Sequence, residues 1–190
     1  KILDFYINSS LHVALSAFSL VLMTQYFFDV YGDYIVAFFA FFGTVVGYNF
    51  VKYDAITRLN RTEIKKELKG IVFLSFISLL ACFYFFTQLS WMSKISAFAF
   101  FGLTLLYTLP FFPNKQNARN WKGVKIYIVG ITWVGVTVIL PLVEAKIPFS
   151  TDVLLMAIQR FLLIFSMVLV FDIVDVKQDD IHLQTVPQKI

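Results

Sequence analysis

Asp172, Asp175 and Asp179 stand where a long apolar run, Val153 to Phe171, gives way to polar residues in the stretch Phe171-Asp-Ile-Val-Asp-Val-Lys-Gln-Asp-Asp-Ile-His-Leu-Gln-Thr-Val-Pro187. If the helix implied by that run continues through the aspartates, their i, i+3, i+7 spacing lays all three on one face, where their oxygens can converge on one cation. Carboxylate oxygen suits Mg²⁺, a hard ion that keeps several waters and binds through one or two carboxylates together with substrate phosphates. This stretch has no cysteine and no paired histidines, which argues against zinc. The spacing also fits a solvated acidic helix end. Against that, acids at a helix C-terminus oppose the helix dipole, and a cation would relieve the repulsion.

What must position these residues is a membrane. Apolar residues make up 59% of the 190, charged residues 15%, and the mean hydropathy is +0.77. With 23 Phe, the chain carries more apolar surface than one soluble core of this length could hide. An all-α integral membrane protein is therefore expected, as one transmembrane domain over residues 1–190 with no interdomain linker or internal repeat. Six runs have the length of a membrane span: Leu11–Phe28, Tyr34–Val51, Gly70–Gln88, Lys94–Phe112, Val124–Val143 and Thr151–Phe171. Pro110 is expected to bend or end the fourth, and Pro141 and Pro148 to bracket the outer end of the fifth. No small-residue cleavage pattern follows the first run, so it reads as a retained span, and the opening Lys-Ile-Leu implies residues upstream.

Charge fixes the expected sidedness. Lys52, Arg58, Arg61, Lys65, Lys66 and Lys69 fall between the second and third runs, and Lys115, Arg119, Lys122 and Lys125 at the connection from fourth to fifth. These ten of the 16 basic residues share one side, the cytoplasm by the positive-inside rule, and the aspartates follow the sixth run onto that side. An anionic ligand bridged to the carboxylates by a divalent cation would meet basic residues there. Such loops are also ordinary topology signals, and their place beside the bilayer argues against nucleic-acid binding.

Arg160 lies about 12 residues before Asp172, near mid-bilayer at ~1.5 Å per residue. A charge there costs about 2.5–3.5 kcal/mol on insertion scales, so it should face the bundle interior and have a partner. His12, Gln25 and Gln159 need only single hydrogen bonds, and Cys82, the one cysteine, is a packing residue.

At Asp172-Ile-Val-Asp175-Val-Lys-Gln-Asp179 the chain resembles the UbiA-type intramembrane prenyltransferases, whose second aspartate-rich motif follows their sixth helix. Leu183-Gln-Thr185-Val-Pro187 is similar to the segment that follows that motif. Leu106-Tyr107-Thr-Leu-Pro110, Gly123-Val-Lys125 and Trp133 are similar to the family's fourth and fifth helices and the loop between them. The first family motif, Asn-Asp-x-x-Asp-x-x-x-Asp, is kept only at Asn49: Phe50, Tyr53 and Thr57 occupy its acidic positions, and Asp54 is one place out of register.

The resemblance implies a UbiA-type bundle, about six helices of which lie in this chain as a fragment of a domain of about nine. It implies Mg²⁺ held by Asp172, Asp175 and Asp179, with Asn49 as a further ligand. It also implies transfer of an isoprenyl group from a prenyl diphosphate to a lipid-soluble acceptor. Asn49, Lys52, Arg119, Lys122, Lys125 and Lys177 are the candidate diphosphate contacts, and the setting implied is the bacterial inner (cytoplasmic) membrane. Lys52 and the tyrosines near helix ends, Tyr53 and Tyr107, equally suit anchoring at the interface. The degenerate first motif keeps a second expectation open, a non-catalytic subunit or scaffold with a protein partner in a larger membrane complex.

Overall fold

The computed structural model describes residues 2–59, 66–108 and 124–175, with the side chains of 2–53, 68–105 and 126–170. The described elements are helical: α1 Ile2–Asn8, α2 Leu11–Phe27, α3 Ile35–Leu59, α4 Lys66–Gln88, α5 Trp91–Thr108, α6 Val124–Val134, α7 Leu140–Glu144 and α8 Thr151–Asp175. A π-helical turn, Gly135–Ile139, joins α6 to α7 without interrupting the rod. Four stretches are long and apolar enough to cross a membrane: Ile35–Tyr53, Leu68–Gln88, Ile126–Glu144 and Thr151–Val170. A fifth is available if α1 and α2, bent by 64° at their junction, count as one broken span. The fourth expected run, Lys94–Phe112, is a shorter apolar helix, Trp91–Leu105, by the same measure. Its last residues and Pro110 lie outside the described residues.

The chain divides into two compact units, Lys1–Lys94 and Ile95–Ile190. In the first, α3 packs against both α2 and α4. Most of the buried residues of these helices are small: Ala14, Ala17 and Val21 on α2, Val36, Ala37, Ala40 and Val45 on α3, and Ser78 on α4. Rings of α3 and α4 also meet, Phe38 and Phe42 on Phe85, while other large residues of α4, Phe73, Phe76, Leu80 and Phe83, are exposed. Small residues inside and large apolar residues outside is the arrangement of helices that pack in lipid, where burying Leu or Phe gains little and close backbone approach gains van der Waals contact.

Helix starts follow local chemistry. The Asp33 carboxylate accepts from the Ile35 amide at 2.9 Å, and Ser150 Oγ accepts from Val153 N–H at 3.4 Å. Gln25, buried at the end of α2, donates to the Asp33 carbonyl at 2.7 Å and pins the turn into α3. Cys82 sits beside Gly43, whose added Cβ would lie 3.6 Å from its sulfur, in keeping with a packing role.

In the second unit α8 packs on α6 and on the π turn. Pro141 explains that turn. It has no N–H to give the carbonyl four residues earlier, and its ring crowds that carbonyl. One extra residue in the preceding turn relieves both, and Leu140 N–H donates to Gly135 O, five residues back. A Cβ on Gly130 would lie 2.7 Å from the Phe161 ring, and one on Gly135 would collide with Phe100.

Candidate functional site

Three places in the structure carry polar chemistry beside or within the apolar helices. The first is the end of α3. Asn49 is only 3% exposed, and its Nδ2 donates to Ser75 Oγ on α4 at 2.9 Å, while Ser75 Oγ donates back to the Ile71 carbonyl at 2.8 Å. Asn49 Oδ1 is buried and accepts no hydrogen bond among the described residues. A buried amide oxygen without a donor costs about 1–3 kcal/mol, so it is a place where a water, a hydroxyl or a cation would be held.

One turn further on, the two residues that flank the expected diphosphate end of α3 are already engaged. Lys52 Nζ donates to the Asn8 carbonyl at 3.3 Å and to Asn8 Oδ1 at 3.5 Å, and lies 5.5 Å from the centre of the Tyr53 ring. Tyr53 Oη donates to the same Asn8 carbonyl at 2.8 Å. Asn8 ends α1, where carbonyls lack helical donors, so the ammonium and the phenol satisfy a group the helix leaves open.

The second place is the end of α8. The helix runs without a break from the apolar stretch through Asp172 and Asp175, which are therefore one helical turn apart at its C-terminus. Their side chains lie outside the described residues, as does that of Lys125 on the first turn of α6. Asp179, Arg119, Lys122 and Lys177 lie outside them altogether. Among the described residues no group of three or more His, Cys, Asp or Glu could hold a metal ion. Asn49 and Lys52 thus lie three residues apart in the C-terminal half of α3 and belong to a different unit from Asp172 and Asp175.

The third place, inside the second unit, was legible only in part. Arg160 is 2% exposed, and its Nη2 donates to Met156 Sδ at 3.9 Å one turn back on α8. The expectation that this charge turns inward is met. In the π turn, Thr137 Oγ1 donates to the carbonyl of Trp133 on α6 at 2.7 Å. Thr132 Oγ1 is buried with no hydrogen-bond partner among the described residues. Nothing in the sequence singled out Ser75, Thr132 or Asn8. Each acquires its role from packing between residues far apart in the chain or from a backbone irregularity.

No protein-family model matches the chain, and comparison with curated proteins and with solved structures gives no match.

Proposed function

We propose that this membrane protein is a UbiA-like prenyltransferase that works on an isoprenyl diphosphate at the bilayer surface. The observation that supports it is the continuity of α8 through Asp172 and Asp175 at the end of a membrane-length helix. Two carboxylates a turn apart offer hard oxygen donors that fit Mg²⁺ and, with Asp179 next in the sequence, extend the donor set. When bound, Mg²⁺ supplies positive charge against which a diphosphate leaving group is stabilised. Arg119, Lys122, Lys125 and Lys177 contribute further positive charge to the diphosphate oxygens as the allylic C–O bond breaks. The acceptor's nucleophilic carbon or oxygen then takes the prenyl group and loses a proton. The helices act as the UbiA-type bundle, six of them in this chain, with the aspartates at the cytoplasmic face beside the basic loops.

The test is Mg²⁺-dependent binding of geranylgeranyl diphosphate to the purified full-length protein in detergent, wild type against Asp172→Asn/Asp175→Asn. Binding in the wild type that the double substitution abolishes is the expected result. Binding that persists unchanged in the variant overturns the assignment of those carboxylates.

A second reading, a non-catalytic subunit of a membrane complex, is favoured by one observation. Tyr53, at one of the first motif's acidic positions, and Lys52 beside it both donate to the Asn8 carbonyl. On this reading neither protein binds the diphosphate, and the chain co-purifies stably with a partner.

A further inference from the structure

Helix α1 has no buried residue, although Ile2, Leu3, Phe5 and Ile7 are four of its seven positions. Two contacts fix where it lies. At its C-terminal end Asn8 is held by Lys52 and Tyr53, which follow the apolar run Tyr34–Val51 where charged residues, Lys52 and Asp54, begin. Toward its middle, Phe5 lies against Gly70, where a Cβ would stand 3.4 Å from the ring, and Gly70 opens the apolar run Gly70–Gln88 directly after Lys65, Lys66 and Lys69. Helix α1 therefore crosses the level at which one candidate span ends and the next begins.

The junction with α2 keeps it there. Ser9 and Ser10 are buried, Ser10 adopts a left-handed φ of 59°, and the two helix axes diverge by 64°. A helix bent by 64° from one that stood along the bilayer normal would run closer to the membrane plane than to the normal.

At that level the chemistry around the helix separates into three sectors. At about 100° per residue, Phe5 and Ser9 lie on the side that meets the protein, Leu3 and Ile7 form a stripe one turn apart about 160° round from it, and Asp4 lies beyond that stripe. Leu3 and Ile7 are 65% and 47% exposed. The first turn of α4 beside it carries exposed Lys69, next to exposed Val72 and Phe73. Apolar residues level with a span's end, bordered by lysine, match the boundary between acyl chains and anionic headgroups.

We propose that α1 is an interfacial helix that seats Leu3 and Ile7 in the lipid surface and is strapped to the protein by the Lys52–Tyr53–Asn8 contact. The proposal depends on the chain's spanning a membrane and not on prenyl chemistry, so loss of diphosphate binding would leave it standing. It gives Lys52 and Tyr53 a task independent of any substrate, that of holding a surface helix in place.

The test uses the full-length protein with Cys82→Ser and single cysteines at Leu3→Cys, Ile7→Cys or Asp4→Cys, each carrying a nitroxide. The proteins are placed in nanodiscs of phosphatidylcholine and phosphatidylglycerol. Labels at positions 3 and 7 are expected to relax several-fold more strongly with oxygen than with a water-soluble nickel chelate, and the label at position 4 to show the reverse. Three labels equally open to nickel would put the helix in water and overturn the proposal. Labels at 3 and 7 shielded from both reagents would mean that protein, from this chain or a second copy, covers the stripe, and would overturn it equally.

Discussion

Where α3 meets α4, rings from both helices stack: Phe85 lies 5.3 Å from Phe38 and 5.9 Å from Phe42, and Phe86 lies 6.1 Å from Phe39. Where α6 meets α8, a ring of one helix lies over a glycine of the other, Phe161 against Gly130, with Tyr127 stacked at 6.3 Å on the same Phe161. Both pairs bring apolar helices together, by different means. The stacked rings share the contact among several side chains, so any one is replaceable at modest cost. The glycine contacts depend on the absence of a single atom, and the facing ring must shift when it is added. Each unit also leaves one side-chain oxygen unpartnered among the described residues, Asn49 Oδ1 in the first and Thr132 Oγ1 in the second.

The sharpest way to break this contrast is Gly135→Val. Its Cβ collides with the Phe100 ring, and the variant is expected to lose about 3 kcal/mol in steric-trapping measurements in bicelles. Phe100→Ala should recover much of that loss, and a double variant no more stable than Gly135→Val would show that the collision is not the cause. Phe42→Ala in the first unit should cost less, about 1–2 kcal/mol. Ring pairs contribute ~0.5–1.5 kcal/mol each, and lipid replaces the lost apolar contact without penalty. A larger loss than that of Gly135→Val would mean that the stacked rings are less forgiving than the glycine contacts.

The smallest effects are expected at the unpartnered oxygens. Asn49→Leu removes the bond to Ser75, a term of about 0.6 kcal/mol between membrane helices, but also the buried acceptor that has no donor. The net change should stay within about 1 kcal/mol, and Thr132→Val should be closer to zero. A loss of several kcal/mol at Asn49 would mean that its oxygen holds a bound water or cation that contributes to folding.

How much of this could be read from the chain depends on the range over which each signal acts. The apolar runs behind α2, α3, α4 and α8 are continuous in sequence, and the helices follow them to within a few residues at most ends. Helix α1 escaped notice because seven residues carrying Asp4 and Asn8 make neither a span nor a long amphipathic pattern. The π turn has its cause in Pro141, but a proline seen in sequence does not tell whether a helix will end, kink or absorb an extra residue. Inward placement of Arg160 followed from the cost of a charge in lipid. Asn49 was recognisable from its motif position, yet its partner Ser75 is 26 residues away. Asn8 meets Lys52 and Tyr53 across 44 and 45 residues, a pairing no local pattern records.

The turn at Gly135–Ile139 also bears on how the gene for this chain can vary in length. A π turn holds one residue more than an α-helical turn needs, so deleting one residue there removes the surplus and leaves the helix on either side facing as it does now. Leu140 and Leu142 would keep their buried positions. Pro141, however, would again set its ring against the carbonyl four residues earlier. A single-codon deletion would thus spare which side of the outer half-helix is packed while returning the strain that the extra residue absorbs.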